Sequence, residues 1–153
     1  MPKQLYAIER DLRYLESLTQ LRQIYTNKLI VVIGDAMTFN VSSFGNAPRR
    51  IIANLPYNIS TALLIRWLKQ ISNIDQMTLM FQTEVVNRII AQPSCRSYGR
   101  LSVITQWLCE PKLEFHIDKR AFVPPPKVGS SLLTLKARPS PLHPAQFEYL
   151  EKI

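Results

Sequence analysis

Apolar residues along this chain follow two rhythms: short runs of branched side chains, and longer stretches in which leucines recur every three or four positions. Short runs bounded by polar residues read as strands, and the longer spacing reads as helix. Leu5–Glu9 is a first strand on this reading. Over residues 11–23, Leu12, Leu15, Leu18 and Leu21 mark a helix with one face turned to a sheet. Leu29–Ile33 is five consecutive branched apolar residues, as expected of a strand covered on both faces, and it stops at Gly34-Asp35. Arg50–Asn54 is the next strand, and Ser60 reads as the cap of a helix carrying Ala62, Leu63, Leu64, Trp67 and Leu68. Residues 77–81 return as a strand. Residues 82–91 and 99–109 read as helices, and residues 113–117 and 131–135 as a closing pair of strands open to an antiparallel arrangement.

Alternation of this kind predicts an open α/β sheet with helices on both faces. In such sheets ligands bind beyond the carboxyl ends of the strands, so polar groups at strand ends carry the most weight. Three occupy that position: Glu9, Asp35 and Asn54. A carboxylate at a strand end suits the hydroxyls of a ribose. Glu9 also reads as an exposed charge beside Arg10 and Asp11, and Asp35 as an Asx turn or helix cap after Gly34.

The run Asn54-Leu55-Pro56-Tyr57 is the richest in chemistry. An amide oxygen, a backbone carbonyl held ahead of a rigid proline and an aromatic ring can grip an exocyclic amine and stack its base. Read without its surroundings, the same run is a strand-to-helix turn with Tyr57 as a half-buried packing residue.

Charge narrows the partner. Nineteen Lys and Arg against 11 Asp and Glu give a net +8 and a pI near 9.8, which favours a polyanion such as nucleic acid. The basic residues are scattered and form no polybasic tail, so a folded groove is expected. Cys95 and Cys109 are too few and too far apart for a disulfide scaffold or a zinc clip, and neither reads as a nucleophile. No apolar stretch approaches a membrane span, and the amino terminus lacks a signal-peptide pattern, so cytoplasm is the default compartment. His116 and His143 read as packing or surface residues, Trp67 and Trp107 as core, and no metal site is visible.

Taken together, the motifs resemble the ribosomal RNA adenine dimethyltransferases over about residues 5–135. The resemblance rests on Glu9, on Gly34-Asp35-Ala36, on Asn54-Leu55-Pro56-Tyr57, and on three downstream runs: Gln82-Thr83-Glu84-Val85, Tyr98-Gly99-Arg100-Leu101-Ser102-Val103, and Phe122-Val123-Pro124-Pro125-Pro126-Lys127-Val128. It implies a Rossmann-like class I methyltransferase fold that uses S-adenosylmethionine, without a metal, to dimethylate adenine amines of small-subunit ribosomal RNA. It further implies that Glu9 binds the cofactor ribose and that Asp35, with Ala36, binds its adenine. Asn54, Leu55, Pro56 and Tyr57 then form the methyl-transfer site, Asn54 also facing the cofactor. Tyr57 would stack on the target base and Phe122 cover its other face, although an aromatic in a proline-rich loop can equally plug the core.

Two departures shape the expectations. Gly129 stands where the family pattern has Asp, which removes a charge and loosens that loop. The family also carries an RNA-contacting segment, a strand and a glycine-rich loop ahead of the position of Glu9. Here eight residues precede Glu9, and the four glycines, Gly34, Gly45, Gly99 and Gly129, form no such loop. The expectation is therefore an incomplete sheet lacking its first central strand, with exposed edges, poor stability and negligible cofactor affinity unless an amino-terminal fragment supplies the rest. Residues 1–138 read as a partial catalytic domain and 139–153 as a linker and the start of a helical domain. The alternative function is a catalytically inactive remnant that retains an RNA-binding surface.

Overall fold

The computed structural model describes residues 3–26 and 28–152. The chain divides into two compact units, Met1–Asn46 and Ala47–Ile153. The first is a parallel pair, β1 (Leu5–Glu9) and β2 (Leu29–Ile33), joined by a 3-10 turn at Leu12–Tyr14 and helix α1 (Leu15–Ile24). Its register sets Glu9 against Ile33, so both strands end together. The second is a four-stranded sheet in the order β3 (Arg50–Asn54), β4 (Gln76–Gln82), β6 (Ser130–Ala137), β5 (Cys109–Ile117). Here β3 and β4 are parallel, while β6 runs antiparallel to both of its neighbours. Helix α2 (Tyr57–Leu68) connects β3 to β4, α3 (Thr83–Ile89) and α4 (Arg100–Leu108) connect β4 to β5, and α5 (Phe147–Leu150) follows β6.

Among the described residues the strands form two sheets, β1-β2 and β3-β4-β6-β5. Among the described residues β3 is an edge strand, and Ile52 on it is 82% exposed. The core lies in the second unit. Phe81, Leu79 and Met77 of β4 pack with Leu63 and Leu64 of α2, Ile89 of α3, Ile104 of α4, and Leu133 and Leu135 of β6, all nearly inaccessible.

Several elements differ from the sequence reading for identifiable reasons. The helix read at 11–23 opens as a 3-10 turn, because the Asp11 carboxylate accepts the Arg13 backbone N–H and caps it. Its leucines do not share one face. A three-residue spacing drifts about 60° per step around a 3.6-residue helix, so Leu15 and Leu18 are half-buried while Leu12 and Leu21 are exposed. Strand β2 is covered unevenly along its length: Leu29 is buried, Ile30, Val31 and Val32 are half-buried, and Ile33 at its end is 56% exposed. Ser60 is not the helix cap. Pro56, with φ −56°, occupies that position and the helix starts at Tyr57, leaving Ser60 buried in the first turn with its hydroxyl donated to the Tyr57 carbonyl at 3.0 Å. Strand β5 begins at Cys109, earlier than read, because Pro111 is tolerated on an edge strand. Trp67 is core, but Trp107 is half-buried and donates its indole N–H to the His143 carbonyl at 2.7 Å.

That bond, the Trp107–Phe147 ring contact and the Lys69–Glu151 ion pair tie the segment after β6 to α2 and α4. No helix among the described residues is long and apolar enough to cross a membrane. Burial pushes the Cys109 thiol up to about 12, whereas Cys95 is exposed. Only a thiolate alkylates rapidly. At pH 8 the native protein is therefore expected to take up one iodoacetamide label, at Cys95, and a second only after denaturation, which mass spectrometry will count.

Candidate functional site

In the first unit the parallel pairing brings two carboxylates to the same strand ends. Glu9 is half-buried, and its Oε1 accepts the Asp11 backbone N–H at 2.7 Å. Across the pair, the Gly34 N–H is donated to the Glu9 carbonyl at 3.0 Å. Asp35 follows, with Oδ1 accepting the Met37 N–H at 2.8 Å and Oδ2 accepting the Arg10 guanidinium at 3.2 Å. The turn anticipated at Asp35 is thus present, and its carboxylate also forms an ion pair. That pair is weak, because Arg10 is 81% exposed and such surface pairs contribute about 0–1 kcal/mol. Ala36 is half-buried beside it.

Gly34 holds this end together. Its φ is +157°, and a Cβ there would lie 2.6 Å from the Phe39 ring. Gly34→Ala is therefore expected to destabilise this unit by roughly 1–3 kcal/mol, the scale of local backbone strain, and to displace Phe39. Thermal unfolding followed by circular dichroism checks this.

In the second unit the parallel β3–β4 pair presents Asn54 at its carboxyl end, in register with Met80. Asn54 is exposed, Leu55 buries its side chain, and Pro56 leads into α2. Among the described residues neither the Asn54 side-chain amide nor the Leu55 carbonyl has a hydrogen-bond partner. Two acceptors thus stand available side by side while the buried Leu55 side chain fixes the backbone between them. Tyr57 is half-buried, and its hydroxyl is hydrogen-bonded at 2.7 Å to Oγ of Ser130, which is fully buried on β6. Phe122 is half-buried on the β5–β6 loop. Its backbone N–H closes the 3-10 turn at Lys119–Ala121, and it makes no ring contact with Tyr57 among the described residues.

Gly129 does not leave its end of the loop untethered, since its carbonyl accepts the Thr83 N–H at 3.0 Å. The other two downstream runs meet between α3 and α4. There the Ser102 hydroxyl, fully buried, is donated to the Arg88 carbonyl at 2.5 Å and accepts the Gly99 N–H at 3.2 Å. They line a cavity of about 400 Å³ with Glu84, Arg88, Arg96 and Tyr98.

Sequence reasoning singled out neither Ser130 nor Ser131; it named Thr83 only within a motif run and read His116 as a packing or surface residue. Ser131 Oγ is hydrogen-bonded to Thr83 Oγ1 at 2.9 Å and to His116 Nδ1 at 2.8 Å, and both serines are fully buried. A serine pair opening an apolar strand was the available signal. No group of three or more His, Cys, Asp or Glu able to hold a metal occurs among the described residues.

Residues 1–153 match the family described as ribosomal RNA adenine dimethylase. The chain belongs to the ribosomal RNA adenine dimethylase family. It is 48% identical over 151 residues to the ribosomal RNA small subunit methyltransferase A of Rhodospirillum rubrum, covering 99% of this chain and 52% of that protein. To the protein of the same name from Paramagnetospirillum magneticum it is 49% identical over 151 residues, covering 99% and 54%. The chain thus spans about half the length of the curated relatives it matches. Among solved structures, a dimethyladenosine transferase from Plasmodium falciparum superposes with a TM-score of 0.77 at 27% identity, over 89% of this chain and 48% of that one. The 23S rRNA methyltransferase ErmE gives 0.78 at 27% identity, over 97% and 59%. The α/β class of this dimethylase-family chain is therefore that of Rossmann-like rRNA methyltransferases.

Proposed function

We propose that this chain carries the adenine-holding half, and part of the cofactor-holding half, of an S-adenosylmethionine-dependent enzyme that dimethylates adenine amines of small-subunit ribosomal RNA. The observation that carries this reading is the pair of unpartnered acceptors, the Asn54 amide oxygen and the Leu55 carbonyl, beside the anchored ring of Tyr57. Relatives named as small-subunit rRNA methyltransferases support the substrate class.

The chemistry asks for such groups. An adenine amine is a poor nucleophile because its lone pair is delocalised into the ring. Two acceptors that hold its protons out of the ring plane return lone-pair density to nitrogen. Asn54 and Leu55 would do this by position alone, with no dedicated general base. Tyr57 would stack on the base, for which such contacts give roughly 1–3 kcal/mol, and Phe122 would cover the opposite face. The adenine must be unstacked to reach them, which RNA loops favour.

The cofactor residues fit a donor-rich ligand. Glu9 and Asp35 are acceptor-only carboxylates at adjacent parallel strand ends, suited to a ribose diol and an adenine amine, and the Arg10 ion pair on Asp35 is weak enough to yield. Ala36 and Asn54 complete the proposed cofactor set. S-adenosylmethionine, when bound, supplies the electrophilic methyl group. The proposal carries with it a cytoplasmic setting, residues 1–138 as catalytic domain, residues 139–153 as the start of a helical one, and an amino-terminal fragment as the partner completing the cofactor site.

A second reading, an inactive remnant that binds RNA, draws on charge. From Ala47 onward there are fourteen Lys and Arg against seven Asp and Glu, whereas the preceding unit has five against four. Isothermal titration of the chain with S-adenosylmethionine tests the cofactor half: a chain that needs completing is expected to show no binding in the micromolar range, and micromolar affinity would show that it needs no partner.

A further inference from the structure

The β5–β6 loop and the amino end of α3 enclose an open cavity of about 480 Å³ lined by Thr83, His116, Ile117, Asp118, Gly129 and Ser130. Its lining mixes the polar side chains of Thr83, His116, Asp118 and Ser130 with Ile117 and Gly129. His116 is held from behind: it faces Ser131 across the β5–β6 ladder, and Nδ1 is hydrogen-bonded to the buried Ser131 hydroxyl. Its Nε2 has no partner among the described residues. An imidazole fixed through one nitrogen and free at the other is oriented for a ligand.

The acid in the lining is ion-paired with Arg120. Asp118 accepts the Arg120 backbone N–H at 2.8 Å, Nε at 3.1 Å and a terminal nitrogen at 3.0 Å, and these bonds hold its carboxyl below the usual range. Lys119 adds a further positive charge on the same turn. The His116 imidazole and the Thr83 and Ser130 hydroxyls suit a ribose, and the two cations of the adjoining turn, Lys119 and Arg120, outweigh the one carboxylate and favour its phosphate. Ser130 connects this cavity to the base site, because the residue that lines it also anchors the Tyr57 hydroxyl at 2.7 Å.

We propose that the His116 cavity binds the nucleotide adjoining the target adenine, taking its ribose and phosphate while Tyr57 takes the base. The inference rests on the adenine-holding reading of Tyr57. It predicts that the site recognises a dinucleotide step of RNA and that His116 contributes to substrate binding.

Backbone amide NMR on the chain, titrated separately with adenosine, the dinucleotide ApA and inorganic phosphate, tests it. Adenosine is expected to shift Asn54 and Tyr57 alone, and ApA to shift these together with Thr83, His116 and Ser130. His116→Ala is expected to weaken ApA by at least about threefold, the loss of one modest hydrogen bond, and to leave adenosine unchanged. His116→Gln, which keeps a side-chain donor, should recover part of the ApA affinity. Shifts at Asn54 and Tyr57 with ApA but none around His116 would overturn this inference and leave the adenine reading standing. Shifts around His116 with phosphate alone equal to those with ApA would reduce the cavity to an anion site and overturn it as well. No shift at Tyr57 with either nucleoside ligand would remove both.

Discussion

Asn54→Ala is expected to abolish methyl transfer while leaving RNA affinity nearly unchanged. The side chain is exposed at the end of β3 and makes no hydrogen bond among the described residues, so its removal leaves no buried group unpaired. The variant should therefore fold as the parent does, within about 0.5 kcal/mol. On the proposed reading it loses one of the two acceptors that would hold the amine protons. Loss of one preorganised polar group at a reacting centre costs roughly 10²–10³ in rate. A rate loss with unchanged RNA binding distinguishes this role from simple adhesion to RNA, in which Asn54 has no special part. Equal loss of binding and rate would place Asn54 in substrate capture.

The second large effect concerns the scaffold. Phe81 is fully buried in β4, between β3 and β6 and in register with Ser131. Phe81→Ala removes a ring from the densest part of the second unit, and such truncations cost about 3–5 kcal/mol. Against a total stability of about 5–15 kcal/mol, that is a large fraction. Urea denaturation should show the midpoint collapsing, with loss of Asn54 presentation following from loss of the sheet. Ile52→Thr, at an 82% exposed edge position, is the matched control and should move the midpoint little. A Phe81→Ala midpoint near that of the parent would show that the core lies elsewhere.

Strand β3 was legible in the sequence to the residue, because a short apolar run bounded by Arg50 and by Asn54-Leu55-Pro56 has one reading. The shared strand-end position of Glu9 and Asp35 was legible too, since a strand, helix, strand order implies a parallel pair. Less was legible where tertiary context decides. Pro111 hid the first half of β5, and only the strand order reveals that it lies on an edge. Four leucines at three-residue spacing looked like one face over a short helix, yet the drift leaves two of them exposed. The Tyr57–Ser130 bond joins residues 73 apart, and the His116–Ser131 bond depends on the β5–β6 register, which carries a shift between Leu113 and Phe115. Ladder register of that kind is set by pairing in three dimensions and leaves no local mark on the sequence.

Grafting this chain in place of the matching 151 residues of the Rhodospirillum rubrum relative supplies the remainder of a family member around it. Incubating that protein with S-adenosylmethionine and small-subunit RNA, then digesting the RNA for mass spectrometry, should yield dimethyladenine from the graft and none from its Asn54→Ala variant. Equal dimethyladenine from both would contradict the central claim.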